Sequence, residues 1–526
     1  MSTIKNHWSF FAALSVLLFT LLITLSITLS RNNFHLTYAV DDAFIHMAIA
    51  KNLAQNGVWG VTAAQFSSAS SSPLWELLLA FTYRLFGVNT LAPLILNIIF
   101  ASGLLWFVYH LLWKYQAPPL WRCLTLFALI FCTSLPALVL TGMEHTLHAL
   151  LTVLFITYSA KALAQQPVSL PKWRLLAMLL VAARYEGMFT IAVVCLLLLL
   201  TQRRRGLWSA LYIAVCGAAP IIFYGMYSLS QGWYFLPNSV MLKSSTFDLS
   251  QPLGILSLFG LRALIHMLSV AYIFVLVIGL VCLLCIRRDS REAVFSGWIT
   301  LLVILLHMQF SQTGAFYRYE AYLIISALVA LSLLASSKAF ALPHWNTLQR
   351  AHFRHALVGV IVLIPLLSHG IKMLLEVPQA MTNNYQQQYQ MAQFVQEYYN
   401  ESGLALNDIG AVSYFSNIHL LDIVGLASLD VGRLTLEQNR QPPTAAQIAA
   451  LARENNVTIA IVSEGWVDIP PEWIRIASWT ITNNVIAASD TVLFYAINAA
   501  EAQILRANLR AYSRLLPEEV RFQIDE

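Results

Sequence analysis

Charge is what this sequence has least of: Asp, Glu, Lys and Arg make up 11% of its 526 residues, against 58% hydrophobic residues. That balance excludes an ordinary soluble domain and a disordered chain alike, and repeated apolar runs near twenty residues indicate a polytopic α-helical membrane protein. Lysine is missing from residues 377–526, where acidic side chains outnumber basic ones two to one, so this tail offers no surface for nucleic acid or anionic lipid. Cysteine is also missing from it. All six cysteines (Cys123, Cys132, Cys195, Cys216, Cys282 and Cys285) lie in or beside apolar segments, which excludes a disulfide framework and leaves no Cys/His metal spacing. No small-residue cleavage pattern follows the first apolar run, so it reads as a retained anchor and not a removed signal peptide. No internal repeat is visible.

What is present is a series of apolar segments at 8–30, 90–113, 121–140, 146–163, 174–184, 188–202, 207–229, 264–286, 293–310, 319–337 and 356–376. A further run, 74–87, contains Glu76 and Arg84; two charges in so short a helix place it at the interface rather than across the bilayer. Omitting it leaves about eleven spans, with the N-terminus cytoplasmic and the tail outside. The Arg203-Arg204-Arg205 and Arg287-Arg288 clusters then fall in cytoplasmic loops, as the positive-inside rule requires.

The first outer loop, 31–73, carries a helix from Asp41 to Leu53 that stops at Asn56-Gly57, and Pro73 suits the start of the interfacial helix. Residues 1–376 thus read as the membrane domain. From 377 to 526 the composition changes, and strand-like runs at 404–410, 419–425 and 457–463 alternate with helical stretches, one of them capped by Thr444. This is a small extracytoplasmic α/β domain.

Within the membrane part, side chains of both signs gather at the predicted outer face: Asp41, Asp42, Glu144, Arg184, Glu186, Lys243, Arg318 and Glu320. Mixed charge beside a lipid boundary suits a charged head group on an apolar tail. Asp41-Asp42 stand at a helix N-terminus, where one aspartate would suffice as a cap. The second adds repulsion, which points to a general base or a metal ligand. His46 lies one turn further on. Glu144 and His148 share a helix face at i,i+4, so Asp42, His46, Glu144 and His148 are the candidate metal ligands, against a reading as polar contacts near the site. Arg184-Tyr185-Glu186-Gly187 joins two short spans, as a local ion pair or as backbone entering a cavity. Lys243, after Pro237-Asn238-Ser239, is a candidate phosphate contact. Arg318, in Phe316-Tyr317-Arg318-Tyr319-Glu320, is either a second such contact or an aromatic-belt anchor.

In this order the motifs resemble those of the polyprenyl-phosphate-dependent glycosyltransferases of the GT-C fold, nearest the branch containing the mycobacterial terminal arabinofuranosyltransferase. Asp41-Asp42-Ala43-Phe44-Ile45 with Ala50-Lys51-Asn52-Leu53 is similar to the family's acidic first-loop motif. Ser72-Pro73-Leu74-Trp75 resembles its Asn-Pro-Leu-Trp element, with Ser72 in place of Asn. Thr141-Gly142-Met143-Glu144 resembles a small-Gly-Met-Glu element, and Arg184-Tyr185-Glu186-Gly187 an Arg-Pro-Glu-Gly element with Tyr185 in place of Pro. Pro237-Asn238 through Lys243 is similar to a Pro-Asn-Thr…Lys loop. Asp408-Ile409-Gly410-Ala411 and Asp422-Ile423-Val424-Gly425-Leu426 are similar to the start of the family's outer domain.

The resemblance implies a multi-pass protein of the cytoplasmic (inner) membrane that transfers a hexosyl or pentosyl group, with inversion, from a polyprenyl-phosphate donor. The acceptor would be a hydroxyl of a cell-envelope glycan, a glycolipid or a protein on the periplasmic side. A first-loop aspartate would deprotonate it; the motif match favours Asp41, with Asp42 as helper or metal ligand. Lys243, Arg318 and Arg184 would hold the donor phosphate, and Glu144, Glu186, His46, Asn238 and Tyr317 would line the pocket. Some relatives use a divalent metal, Mg or Mn. The rival expectation is a transporter or flippase of a lipid-linked sugar, which would need ionisable residues near the bilayer midplane.

Overall fold

The computed structural model describes residues 2–243, 256–286, 290–314, 318–336 and 350–525. Nine helices lead up to the outer loop at Asn238: α1 (Ser2–Arg31), α2 (Asp42–Asn56), α3 (Pro73–Phe86), α4 (Ala92–Lys114), α5 (Pro119–Cys132), α6 (Leu135–Leu140), α7 (His145–Leu163), α8 (Leu170–Ala183) and α9 (Gly187–Ser230). Further helices follow at Arg262–Ser269, Ala271–Ile286, Arg291–Phe310, Ala321–Ala335 and Arg350–Asn384.

Among the described residues, five helices are long and apolar enough to cross a bilayer by themselves, or six if one bent pair is a single span. The eleven expected spans are therefore not all found as separate long helices, and the reasons are local. Residues 188–202 and 207–229, given together as α9, are two helices that meet across a kink at Arg203, where φ is 48° and ψ −123°, so these two runs are separate as expected. The 121–140 run divides into α5 and α6 at Ser134, whose φ is also 48°. The 264–286 run bends by 109° between its two helices. The expected 376/377 domain boundary falls inside the Arg350–Asn384 helix, whose interior prolines Pro365 and Pro378 leave it one element.

The loop between α1 and α4 folds as its sequence signals dictate. Gly57 ends α2 with φ of 71°, a left-handed conformation open to glycine, and its N–H returns to the Asn52 carbonyl. The Asn52 side-chain amide then binds the carbonyls of Gly60 and Val61, each at 3.0 Å, and turns the chain back. Pro73 occupies the first turn of α3, where no N–H is needed. Every residue from Ala43 to Ala50 is buried, so α2 is not a helix resting on a membrane surface; it packs on α3 and on the C-terminal domain.

That domain holds a six-stranded sheet: β1 (Gly403–Leu406), β2 (His419–Asp422), β3 (Val457–Ser463), β4 (Ile474–Thr480), β5 (Thr491–Ala496) and β6 (Arg521–Ile524), in the order β2-β1-β3-β5-β4-β6. β1 pairs in parallel with β2 and β3, while β5, β4 and β6 add antiparallel. Thr444 caps the Ala445–Glu454 helix in a full capping box with Gln447.

Tyr38 fixes the approach to α2. It is fully buried, its hydroxyl donates to the Thr90 carbonyl at 2.6 Å and accepts the Leu94 N–H at 3.1 Å. Gly142, at φ +72°, lies against that ring, and a Cβ there would come within 2.5 Å of it. Gly142→Ala therefore combines a left-handed conformation with a clash and should destabilise by about 1–3 kcal/mol. A thermal unfolding curve in detergent checks this; an unchanged Tm would remove Tyr38 as the fixing element.

Candidate active site

A cavity of about 260 Å³ opens where α2 and the Arg184–Gly187 turn meet residues 69–72 and the segment before Ala321. Its polar lining includes Asp42, His46, Ser70, Glu144, Arg184, Glu186 and Arg318. The turn between α8 and α9 exists because Arg184 leaves the helix for an extended conformation (φ −157°, ψ 139°). That turns the guanidinium inward. Arg184 Nη2 binds Glu186 at 2.6 Å, its Nε binds the other Glu186 oxygen at 3.2 Å, and its Nη1 binds Glu144. The two readings of this motif, local ion pair and backbone entering a cavity, therefore hold together.

Burial opposes the charge of Glu186, but the Arg184 guanidinium outweighs it and holds the carboxyl at about 2. Arg184 is likewise held firmly protonated, against burial, by Glu186 and Glu144. His46 lies between two carboxylates, Nδ1 at 3.5 Å from Glu76 and Nε2 at 3.6 Å from Glu144. Burial would lower its pKa; the Glu76 hydrogen bond and the Glu144 charge reverse this and raise it. Glu76 is itself fixed by the Trp59 indole N–H at 2.5 Å.

The two adjacent aspartates part company. Asp42 lines the cavity and pairs with Arg318 Nη1 at 2.5 Å, while Arg318 Nη2 reaches the Tyr319 hydroxyl at 3.1 Å. Asp41 does not line it. Its carboxylate accepts the backbone N–H of Gly410 at 2.7 Å and of Ala411 at 2.9 Å, both in the C-terminal domain. As a helix cap Asp41 thus serves a helix of the other domain, since its side chain makes no bond to its own. Burial, then the nearby Asp408 carboxylate, pushes Asp41 up to about 7 against those two N–H bonds; Asp408, also raised by burial first, reaches about 6.

Of the other expected site residues, Asn238 bridges rather than lines: its N–H donates to the Ser68 carbonyl at 2.9 Å and its side chain to the Gly425 carbonyl at 2.7 Å. Its neighbours Ser239 and Val240 face the cavity, as does Leu426 of the C-terminal domain. His148 packs against the Tyr322 ring, 4.5 Å between centroids, away from the cavity lining. Tyr317 and the Lys243 side chain lie outside the described residues. Among the described residues no three of His, Cys, Asp and Glu converge as a metal requires, and the expected donors are otherwise engaged, Asp42 by Arg318 and Glu144 by Arg184. Sequence reasoning did not place Glu76, Ser70 or Leu426 at the site. Glu76 was open to discovery, because a carboxylate one turn into an otherwise apolar helix needs a buried partner.

The fold is shared with solved proteins. The chain shares the GT-C fold of ArnT from Cupriavidus metallidurans, whose structure bound to undecaprenyl phosphate aligns with a TM-score of 0.53 at 13% identity, over 92% of this chain and 98% of that one. The apo form of ArnT aligns at 0.51 and 14% identity, over 93% and 99%. The mycobacterial arabinofuranosyltransferase AftD, in a mutant form, gives 0.44 at 12% identity over 92% of this chain and 41% of its own; so low a score decides nothing about the branch. Residues 379–495 match a family described as a domain of unknown function, DUF8728. No curated protein matches the sequence.

The Asp41–Asp408 contact has a pH consequence. A carboxyl whose folded pKa lies above its unfolded value contributes stability that is complete below about pH 4 and lost as pH rises through the folded value. Between pH 4 and 7 the contact between the domains therefore weakens as the two groups ionise. Asp408→Asn removes the repulsion and should raise Tm at pH 8 by the equivalent of about 1 kcal/mol, with little change at pH 5. Equal shifts at both pH values would contradict the pairing.

Proposed function

We propose that this protein is an inverting glycosyltransferase that moves a sugar from a polyprenyl-phosphate donor to a hydroxyl acceptor at the outer face of the cytoplasmic membrane. In this reading the C-terminal domain is periplasmic and the N-terminus cytoplasmic. Three things support it: the ordered motifs of the sequence, the fold shared with ArnT, which was captured with undecaprenyl phosphate, and the chemistry of the cavity. The observation that carries it is the Asp42–Arg318 ion pair, a carboxylate and a guanidinium on one cavity wall.

The pair acts as a resting latch. An incoming donor phosphate competes for Arg318 and draws the guanidinium off Asp42. Asp42 then takes the proton of the acceptor hydroxyl as its oxygen attacks the anomeric carbon. The bond from that carbon to the phosphate oxygen breaks, and its electron pair leaves on the lipid phosphate, where Arg318 and Lys243 stabilise the added charge. Glu186, ionised at any working pH, faces the positive charge that develops on the sugar ring, and Arg184 holds it and Glu144 in place. This assigns the base to Asp42, where the sequence motif favours Asp41, because Asp42 faces the cavity and both oxygens of Asp41 are bound to backbone N–H groups elsewhere.

Asp42→Asn should lower turnover of a polyprenyl-phosphate sugar, read as release of lipid phosphate, by about 10²–10⁴-fold with little change in KM. Arg318→Ala should lower kcat and raise KM together. Wild-type turnover by a folded Asp42→Asn protein would sink the base assignment, and undiminished donor binding by Arg318→Ala would sink the latch.

A further inference from the structure

In the C-terminal domain, β1 leads through the short Gly410–Phe415 helix to β2 on one side, while β3 lies on its other side. The strands run parallel, and the order in which they are added reverses at the carboxyl end of β1. Open α/β sheets usually hold their ligands in the crevice at such a point. Here the crevice is closed from within. Asn407 at the end of β1 exchanges hydrogen bonds with Ser463 at the end of β3, at 2.9 and 3.1 Å. The next backbone N–H groups, those of Gly410 and Ala411, are taken by Asp41 of the membrane domain.

The other end of the same helix is held as well. Lys51, nine residues further along α2 than Asp42, donates from Nζ to the carbonyls of Tyr414 at 2.7 Å and Ser413 at 3.2 Å. The Asp41 carboxyl at the start and the Lys51 amine at the end thus bind the open backbone groups at both ends of the short helix. Between them Phe44 packs on the rings of Tyr414 and Phe415, with centroids 5.9 and 5.7 Å apart. The fit is close: a Cβ on Gly410 would lie 2.3 Å from the Asp41 carbonyl oxygen and 2.6 Å from Asp41 Oδ2.

We infer that Asp41 and Lys51 are positioning residues, a two-point clamp by which the C-terminal domain fixes α2 and so holds Asp42 and His46 at the cavity. The cavity side of this inference rests on the glycosyltransferase reading; the clamp does not. Asp41 sits immediately before the helix whose first residue is Asp42, so any freedom at Asp41 passes directly to the Asp42–Arg318 pair. The domain that matches DUF8728 then has a stated task, which is to hold the first-loop helix in register.

The test uses the full-length protein in lipid nanodiscs with Asp41→Asn, Gly410→Ala and Lys51→Met, and Asp42→Asn as the comparison. Amide hydrogen exchange is followed over residues 410–416 and 42–47, and undecaprenyl phosphate alone is the binding probe. The expected result is exchange about tenfold faster in both segments for each of the three clamp variants, and unchanged at 410–416 for Asp42→Asn. The Asp41→Asn/Lys51→Met double variant should exchange no faster than either single one, because one released end already frees the helix. A general loss of stability would instead speed exchange throughout the C-terminal sheet and add across the two sites. Undecaprenyl phosphate binding should weaken by the same factor in all three clamp variants. Unchanged exchange at 410–416 in both Asp41→Asn and Gly410→Ala, or faster exchange there with 42–47 unaffected, would overturn the clamp. If the wild-type protein binds no undecaprenyl phosphate while the exchange result holds, the donor reading fails and the clamp stands.

Discussion

Arg184 is buried, and the carboxylates of Glu144 and Glu186 are what make that tolerable. A buried charge left without partners costs several kcal/mol, so the three groups behave as a unit that must be assembled whole. Each member comes from a different helix end: Glu144 stands before α7, Arg184 after α8 and Glu186 before α9. Folding these ends of three helices into one place is thus a condition for burying any of them. The same logic extends outward, since Glu144 also faces His46, and His46 faces Glu76 on α3. The cavity is the space left beside a charge network that could not form piecemeal.

Adjacency explains how two neighbouring aspartates acquire different work. Successive residues at a helix start point in directions about 100° apart and cannot share a face. A chain that places Asp42 toward the cavity must send Asp41 elsewhere, and the nearest strong donors are the N–H groups of Gly410 and Ala411. The second aspartate then adds repulsion within the pair that the first-loop helix alone would not need. Its compensation lies almost 370 residues away in the chain, in a domain with its own sheet.

Much of the fold was legible because it is written in local signals. Gly57, Pro73 and Thr444 end or begin helices where the sequence places them, and Val457–Ser463 is a strand with the expected limits. The remaining strands, Ile474–Thr480 and Thr491–Ala496 inside the sheet and Arg521–Ile524 at its edge, were not legible, because short runs of this kind carry no period that separates them from buried helix or loop. The spans show the reverse problem: composition reports apolarity but not the φ of 48° at Ser134, which divides the 121–140 run into two helices. At the site, Arg184, Glu144, Glu186, Asp42, His46 and Arg318 were named from the sequence and share one cavity. What sequence could not supply was direction. It read Asp41 as the inward carboxylate and Asn238 as a pocket residue, and only tertiary contacts show both turned toward the C-terminal domain.

Those contacts change what the C-terminal domain can be. A module that merely captured an acceptor could be tethered loosely, with an interface of modest polarity. Here Leu426 forms part of the cavity wall, and the adjacent Gly425 carbonyl binds Asn238. Gly432 lies so near Asn238 that a Cβ on it would sit 2.6 Å from the amide nitrogen. Removing the domain would open one side of the cavity, strip the Asp41 carboxylate of both its donors and leave the Lys51 ammonium without its two carbonyls. A truncated chain would therefore not isolate the domain's own role, since the cavity itself would be altered too. The domain's role must be read from point substitutions on its two contacts with the membrane part, and the short helix at Gly410–Phe415 is the place where geometry concentrates that role.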